Sequence, residues 1–536
     1  MGAHLSIDRW GLAVFLIAGI VIIPLAVVLS SLFTTYDEVW THLIQTTLAD
    51  ILINTVFLTL GVAVGTSVLG VGLAWLCSAT NFPGRRFFDW ALMLPMAIPS
   101  YVTAFVAIGL LDFTGPVQTG LRAWLGKDGF WFPEIRSAGG LILVMTLTLY
   151  PYVYLLARNA FLTQGRRALE VAQSLGVSRF SGFFRVALPM ARPWIVGGVM
   201  LALMETPSDF GAVSIFNYDT FATAVYQAWF GFFSLSAASQ LASILVLLVF
   251  VLLMIEQRLT ARARYTGANQ RKGHGDRINL TPTKRWFAFA VALSVFSFAF
   301  FIPVLQLFIW GVFVVREDLD LRYFGYLGHS LSLGGMAALL TLAAVVILVY
   351  AHRLHHTATM RILVRVSTLG YALPGSVLAV GVFIPMAWID NQMIAYFDLP
   401  FVLKGTVVAM LLAYLVRFLA VADHPVESEV KRTSQHIDES ARNLGCSGIE
   451  MLRCIHLPMM RGGVFTAAVL VFVDVMKEMP ITLMTRPFGW DTLAIRIFEM
   501  TSEGEWERAA LPAIAVVFAG LLPVFLLTRD QEKGFE

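Results

Sequence analysis

Residues 170–192 read EVAQSLGVSRFSGFFRVALPMAR, and residues 439–461 read ESARNLGCSGIEMLRCIHLPMMR. The two align without a gap at an offset of 269 (439 − 170), and nine of the 23 positions are identical. The identities are Glu170/Glu439, Ala172/Ala441, Leu175/Leu444, Gly176/Gly445, Ser178/Ser447, Leu188/Leu457, Pro189/Pro458, Met190/Met459 and Arg192/Arg461, so the chain contains an internal repeat. A short helix with Glu near its start is expected to stop at Gly176 or Gly445, because glycine accepts the left-handed conformation that closes a helix. Ser178 or Ser447 can then cap a second helix. Phe180, Phe183, Phe184 and Leu188, and in the twin Ile449, Leu452 and Ile455, put an apolar stripe on that helix before Pro189 or Pro458 stops it. Each copy thus predicts an elbow of two short helices.

Both elbows lie between long apolar segments. The 536 residues are 58% apolar and 14% charged, with a mean hydropathy of +0.74, values that exclude a soluble globular class. Twelve runs are long enough to cross a bilayer core that takes about 20 residues: 11–33, 53–77, 90–111, 139–157, 194–216, 236–255, 286–314, 331–350, 364–388, 400–421, 464–485 and 509–528. The first run is longer than a signal-peptide core and no small-residue cleavage site follows it, so it is expected to be a retained span. The fold class expected is therefore an all-α polytopic membrane protein of about twelve spans in two pseudo-symmetric six-helix halves.

Charge sets the orientation. With the N-terminus inside, segments assigned to the cytoplasm hold 28 of the 38 Lys and Arg, including six around each elbow and eight between 256 and 285. Nine fall in external loops, and Lys477 lies within a span. The positive-inside rule then puts both elbows and both termini in the cytoplasm. The polar, basic stretch 256–285 reads as a linker between a first half, 1–255, and a second, 286–536. Six spans being an even number, both halves enter the membrane in the same direction. The repeat reaches beyond the elbows: Asn54-Thr55 and Pro99 match His329-Ser330 and Pro374 at an offset of 275, and Asp219-Thr220 matches Asp491-Thr492 at 272. Gly61 and Gly65 would allow close helix contact.

Ionisable groups inside a span need a partner, water or a function. Glu205 and Asp209 stand four apart after the first elbow, and Asp474 and Glu478 four apart after the second, at the same offset of 269. Spacing of four puts each pair on one helix face. These acids either line a central pathway and favour a cation, or pair with neighbours such as Lys477 and cap helix interruptions near Pro207 and Pro480. Counted along an unbroken helix from Pro193, Asp209 lies ~24 Å into a core of ~30 Å, at ~1.5 Å per residue. Cys77, Cys446 and Cys454 show no C-x-x-C spacing, and no phosphate loop of the G-x-x-x-x-G-K-[ST] type is present. His352, His355 and His356 stand in a basic loop with nothing to complete a ligand set.

The elbow resembles the E-A-A-x-x-x-G signature of ABC-importer permeases, written here Glu170-Val171-Ala172 then Gly176, and Glu439-Ser440-Ala441 then Gly445, with the middle alanine replaced in both copies. Residues 473–512, VDVMKEMPITLMTRPFGWDTLAIRIFEMTSEGEWERAALP, with their counterpart METPSDFGAVSIFNYDTFATAVYQAW at 204–229, look like the fused two-halved permease of bacterial ferric-iron ABC importers. That resemblance implies a type I importer permease without its own ATPase site, whose elbows are coupling helices carrying Glu170, Ala172, Gly176, Glu439, Ala441 and Gly445. It also implies an inner-membrane location, two copies of an ATPase subunit, a periplasmic iron-binding protein and transported Fe3+, with no cofactor and no nucleic-acid partner. Thiamine and polyamine permeases share the architecture. A secondary transporter, in which the acids relay protons, is the competing class and has no use for the elbows.

Overall fold

The computed structural model describes residues 9–533 apart from 35–36, 127–131, 166–171, 173, 175, 177, 261–276, 356 and 399–402. Among the described residues ten helices are long and apolar enough to cross a membrane. The bent pair Gly448–Met459 and Arg461–Lys477, which turns through 77°, meets the same length and composition only when its two helices are taken together. The place of the twelfth expected span is taken by a shorter apolar helix, Ala510–Phe525. The only strand pairing among the described residues joins Thr80–Asn81 in parallel to Ile278–Asn279, where Asn81 Nδ2 donates to Asn279 Oδ1 at 2.9 Å. This tie holds the end of the expected linker to the first half.

Two expected spans in each half are interrupted, and the interruptions repeat. The segment at 90–111 is a short helix Arg85–Ala91, a 3-10 turn Leu94–Ala97 and a helix starting at Ser100. Its counterpart is Ala358–Ser367, then Leu369–Ala372, then a helix starting at Gly375. The turns and restarts agree at an offset of 275 (369 − 94 and 375 − 100). Proline supplies the cause, since it lacks an N–H and drives its predecessor out of the helical region. Ile98 and Leu373 are extended (ψ 121° and 130°), and Pro99 and Pro374 follow suit (ψ 146° and 145°).

The helices after the elbows break likewise. Leu188–Glu205 ends in a 3-10 turn, Thr206–Ser208, before Gly211–Ile215, and Arg461–Lys477 ends before Pro480–Thr485, so the short helices restart 269 apart (480 − 211). The unbroken helix along which the depth of Asp209 is counted ends four residues before it, at Glu205. A second expectation also needs correction. Pro189 does not stop the elbow's second helix; it sits in the first turn of Leu188–Glu205, and a π-turn over Phe183–Ala187 carries the chain into it. In the twin, Pro458 lies within Leu457–Met459, and the bend comes at Met460.

Packing interleaves the two halves. The first helix, Arg9–Ser30, lies on Gly375–Phe397, where a Cβ on Gly381 would stand 2.8 Å from the Pro24 carbonyl oxygen. Reciprocally, Trp310 from Ile302–Asp318 stacks on Phe105 at 6.2 Å and fills the space over Gly109. Within the first half, Gly61 faces Ile142, Gly65 faces Thr146 and Gly70 faces Val153, so Leu48–Ala79 and Ala138–Ala160 pack at a separation that a Cβ would not allow. Pseudo-symmetry extends to single hydrogen bonds. Phe221 N donates to Thr55 Oγ1 at 3.2 Å, and Leu493 N donates to Ser330 Oγ at 2.9 Å.

Candidate functional site

The repeated breaks converge. Glu205, Asp209, Asp474 and Glu478 all line one cavity of about 170 Å3 between the halves. Equivalent positions line it together: Glu205 and Asp474, Asp209 and Glu478, and Gly211 and Pro480, all related by 269.

The four acids divide into two kinds. Asp209 and Glu478 are 8% and 6% exposed, and their oxygens are engaged by the helix restarts beside them. Asp209 Oδ1 accepts from Ala212 N at 2.7 Å, while Oδ2 accepts from the Ser100 hydroxyl. Glu478 accepts from Ile481 N at 3.1 and 3.0 Å and from Thr482 N at 3.2 Å. Both thus cap the interruptions, the structural alternative of the sequence reading. Glu205 and Asp474 are half-buried and have no hydrogen bond or ion pair among the described residues. The same cavity contains both kinds, so lining and capping are not exclusive.

Two cations share the cavity, and both come from the second half. Lys477 Nζ donates to the Met96 carbonyl at 3.2 Å, a contact between halves, and forms no ion pair with an acid among the described residues. Arg417, not singled out among the charges within spans, stands in the middle of Val407–Arg432 and lines the cavity. Its position inside the apolar run 400–421 was the signal that should have found it. The equivalent residues of the first half, Ser208 and Thr148, also line the cavity but are neutral. No three His, Cys, Asp or Glu side chains converge to hold a metal ion among the described residues.

At the elbows, Gly176 and Gly445 have φ of +83° and +84°, the left-handed conformation their helix ends require. Cys446 N then donates to Ala441 O at 3.0 Å and Gly445 N to Arg442 O at 3.0 Å, closing Gln435–Asn443. Ser178 Oγ accepts from Ser181 N at 3.3 Å as a cap, whereas Ser447 makes no side-chain cap bond. Ala172 and Ala441 are buried; Glu439 is exposed beside His436; Glu170 lies outside the described residues. Leu444 and Ile449 are also exposed, leaving apolar surface on the second elbow's outer side. Behind it, Arg353 donates to Asp438 at 2.7 and 3.2 Å and to the carbonyls of Val430, Thr433 and Ser434, while Tyr350 donates to Gly448 O at 2.7 Å. At the position equivalent to Asp438 the first half has Leu169, which carries no charge to pair with an arginine.

An interleaved helical membrane domain with duplicated elbows and duplicated helix breaks defines a transport permease. The chain belongs to the binding-protein-dependent transport system inner membrane component family, whose model matches it twice, over residues 66–264 and 349–532. It is 29% identical over 497 residues to the Fe(3+)-transport system permease protein FbpB 2 of Haemophilus influenzae, covering 91% of each chain. It is 21% identical over 562 residues to the ferric transport system permease protein FbpB of Actinobacillus pleuropneumoniae, covering 98% of this chain and 77% of that one. Over 148 residues, 28% of this chain and 49% of the relative, it is 33% identical to the sulfate transport system permease protein CysW of Escherichia coli.

Proposed function

We propose that this chain is the permease of an ABC importer for ferric iron, passing Fe3+ from a periplasmic binding protein through the cavity between its halves. The observation that carries this reading is the pair Glu205 and Asp474, two carboxylates free of described partners that face one cavity from equivalent helix ends. A hard trivalent cation prefers oxygen ligands of this kind. Full-length similarity to two relatives named for ferric iron supports the cargo over thiamine or a polyamine. Asp209 and Glu478 hold the helix breaks that aim the open pair. Two copies of an ATPase dock on the elbows around Ala172, Gly176, Ala441 and Gly445, with Glu170 and Glu439 at the contact. Closure of the ATPase pair moves both halves together. The halves divide at 256–285, and both termini are cytoplasmic.

Reconstitution with the cognate ATPase and binding protein in liposomes tests this. ATP-dependent accumulation of 55Fe, undiminished by excess thiamine or spermidine and by collapse of the proton gradient, is the expected result. Uptake driven by the gradient without ATP would instead favour a secondary transporter.

A further inference from the structure

Resting on the ferric-iron reading, we infer that the cargo crosses this cavity as an iron–oxyanion complex, the oxyanion being held by Arg417 and Lys477 of the second half. A cavity built for a bare trication would gain from its four carboxylates and lose from every cation placed among them. Yet Arg417 and Lys477 face it together with Glu205, Asp209, Asp474 and Glu478.

Neither cation forms a direct ion pair with these acids among the described residues. Arg417 Nη1 is closed off from solvent and has no hydrogen-bond partner among the described residues, and Arg417 makes no ion pair among them. The Glu478 carboxylate, across Gly375 from Arg417, is already turned onto the backbone of Ile481 and Thr482. Arg417 Nη1 and Glu478 Oε1 flank Gly375, standing 3.0 and 2.7 Å from where its Cβ would be. A guanidinium that lines a cavity and keeps an unpaired N–H is suited to carboxylate or phosphate oxygens, which it meets with paired donors. Lys477 spends one N–H on the Met96 carbonyl and retains two as a point charge.

Size does not exclude the complex. At ~30 Å3 per water, 170 Å3 holds about six waters, equally a hydrated ion or a metal with one small oxyanion. Charge therefore discriminates. Open acids Glu205 and Asp474 face the metal, and the second-half cations face the anion. The neutral Thr148 and Ser208 on the first-half side make the site one-sided, so a complex enters in a single orientation.

The test uses the full complex in liposomes, with binding protein loaded with 55Fe and either 14C-bicarbonate or 33P-labelled inorganic phosphate. Entry of one label with the iron in a fixed ratio, and a drop in iron uptake of about tenfold when oxyanion is omitted, is expected. Arg417→Gln should abolish the dependence on oxyanion along with most uptake per assembled complex, and Arg417→Lys should retain part of both. Iron uptake by the unsubstituted protein that is undiminished without oxyanion, with neither label entering, overturns the inference and leaves the iron reading intact. Label entering without iron supports the anion site and overturns the iron reading.

Discussion

The Ser100 hydroxyl donates a hydrogen bond to the Asp209 carboxylate across 109 positions of sequence, and in the second half the corresponding residues are Gly375 and Glu478. Where the acid is one methylene shorter, the facing residue fills the gap with a hydroxyl. Where it is longer, the facing residue is a glycine whose Cβ would stand 2.7 Å from Glu478 Oε1 and 2.9 Å from Pro480 Cγ. Gly375→Ser is expected to destabilise the permease by about 1–3 kcal/mol through overpacking. Combined with Glu478→Asp, which recreates the first-half pair, it should recover at least about 1 kcal/mol relative to the sum of the single changes. Thermal melting of the four proteins of this cycle in detergent measures it, and additive losses would dissolve the proposed complementarity.

The division of the acids predicts two different failures. Glu205→Gln with Asp474→Asn should lower iron uptake per assembled complex by tenfold or more while leaving the folded yield near normal. Asp209→Asn with Glu478→Gln weakens two helix caps, at about 0.5–2 kcal/mol each, and should lower folded yield more than uptake per complex. Yield and uptake recorded in one preparation separate them, and the reverse pattern would exchange the roles.

At the elbows a side chain on Gly176 or Gly445 would meet nothing within 4 Å, so a substitution there acts through backbone strain alone. The left-handed conformation costs a non-glycine residue ~1–2 kcal/mol. Gly445→Val is expected to leave the chain inserted yet reduce uptake per ATP hydrolysed, and Gly445→Asn, which tolerates positive φ, should do so less. Equal coupling ratios for the two variants would argue against the turn as the transmitting element.

Arg353 clamps the second elbow through a buried ion pair whose side chains are 8% and 9% exposed. Removing one partner of such a pair costs about 3–5 kcal/mol. Arg353→Ala should therefore raise amide exchange across Gln435–Asn443 while the helices around the cavity stay protected. Unchanged exchange there would mean the elbow is held by its apolar contacts with Tyr350 and Met451.

The orientation rests on charge distribution and is tested apart from transport. Reporter fusions at Gly182 and Gly448 should behave as cytoplasmic and one at Asp219 as external. A reversed signal at Asp219 would break the six-plus-six reading.

Much was legible without coordinates. The repeat, the membrane class and the φ of Gly176 and Gly445 follow from residues a few positions apart, because apolar run length and helix closure are local matters. The matched acids were also visible, since an offset of 269 needs only counting. Their division into capping and open pairs was not, and neither were the partnership of Ser100 with Asp209 and the entry of Arg417 into the cavity. Nor was the seating of Arg9–Ser30 on the opposite half. The division turns on the helix restarts, whose N–H groups three residues beyond each capping acid donate to it; the other three are decided by chain segments brought together from a hundred or more residues away, where burial leaves a polar group no water and so makes its neighbours in space determine what it does.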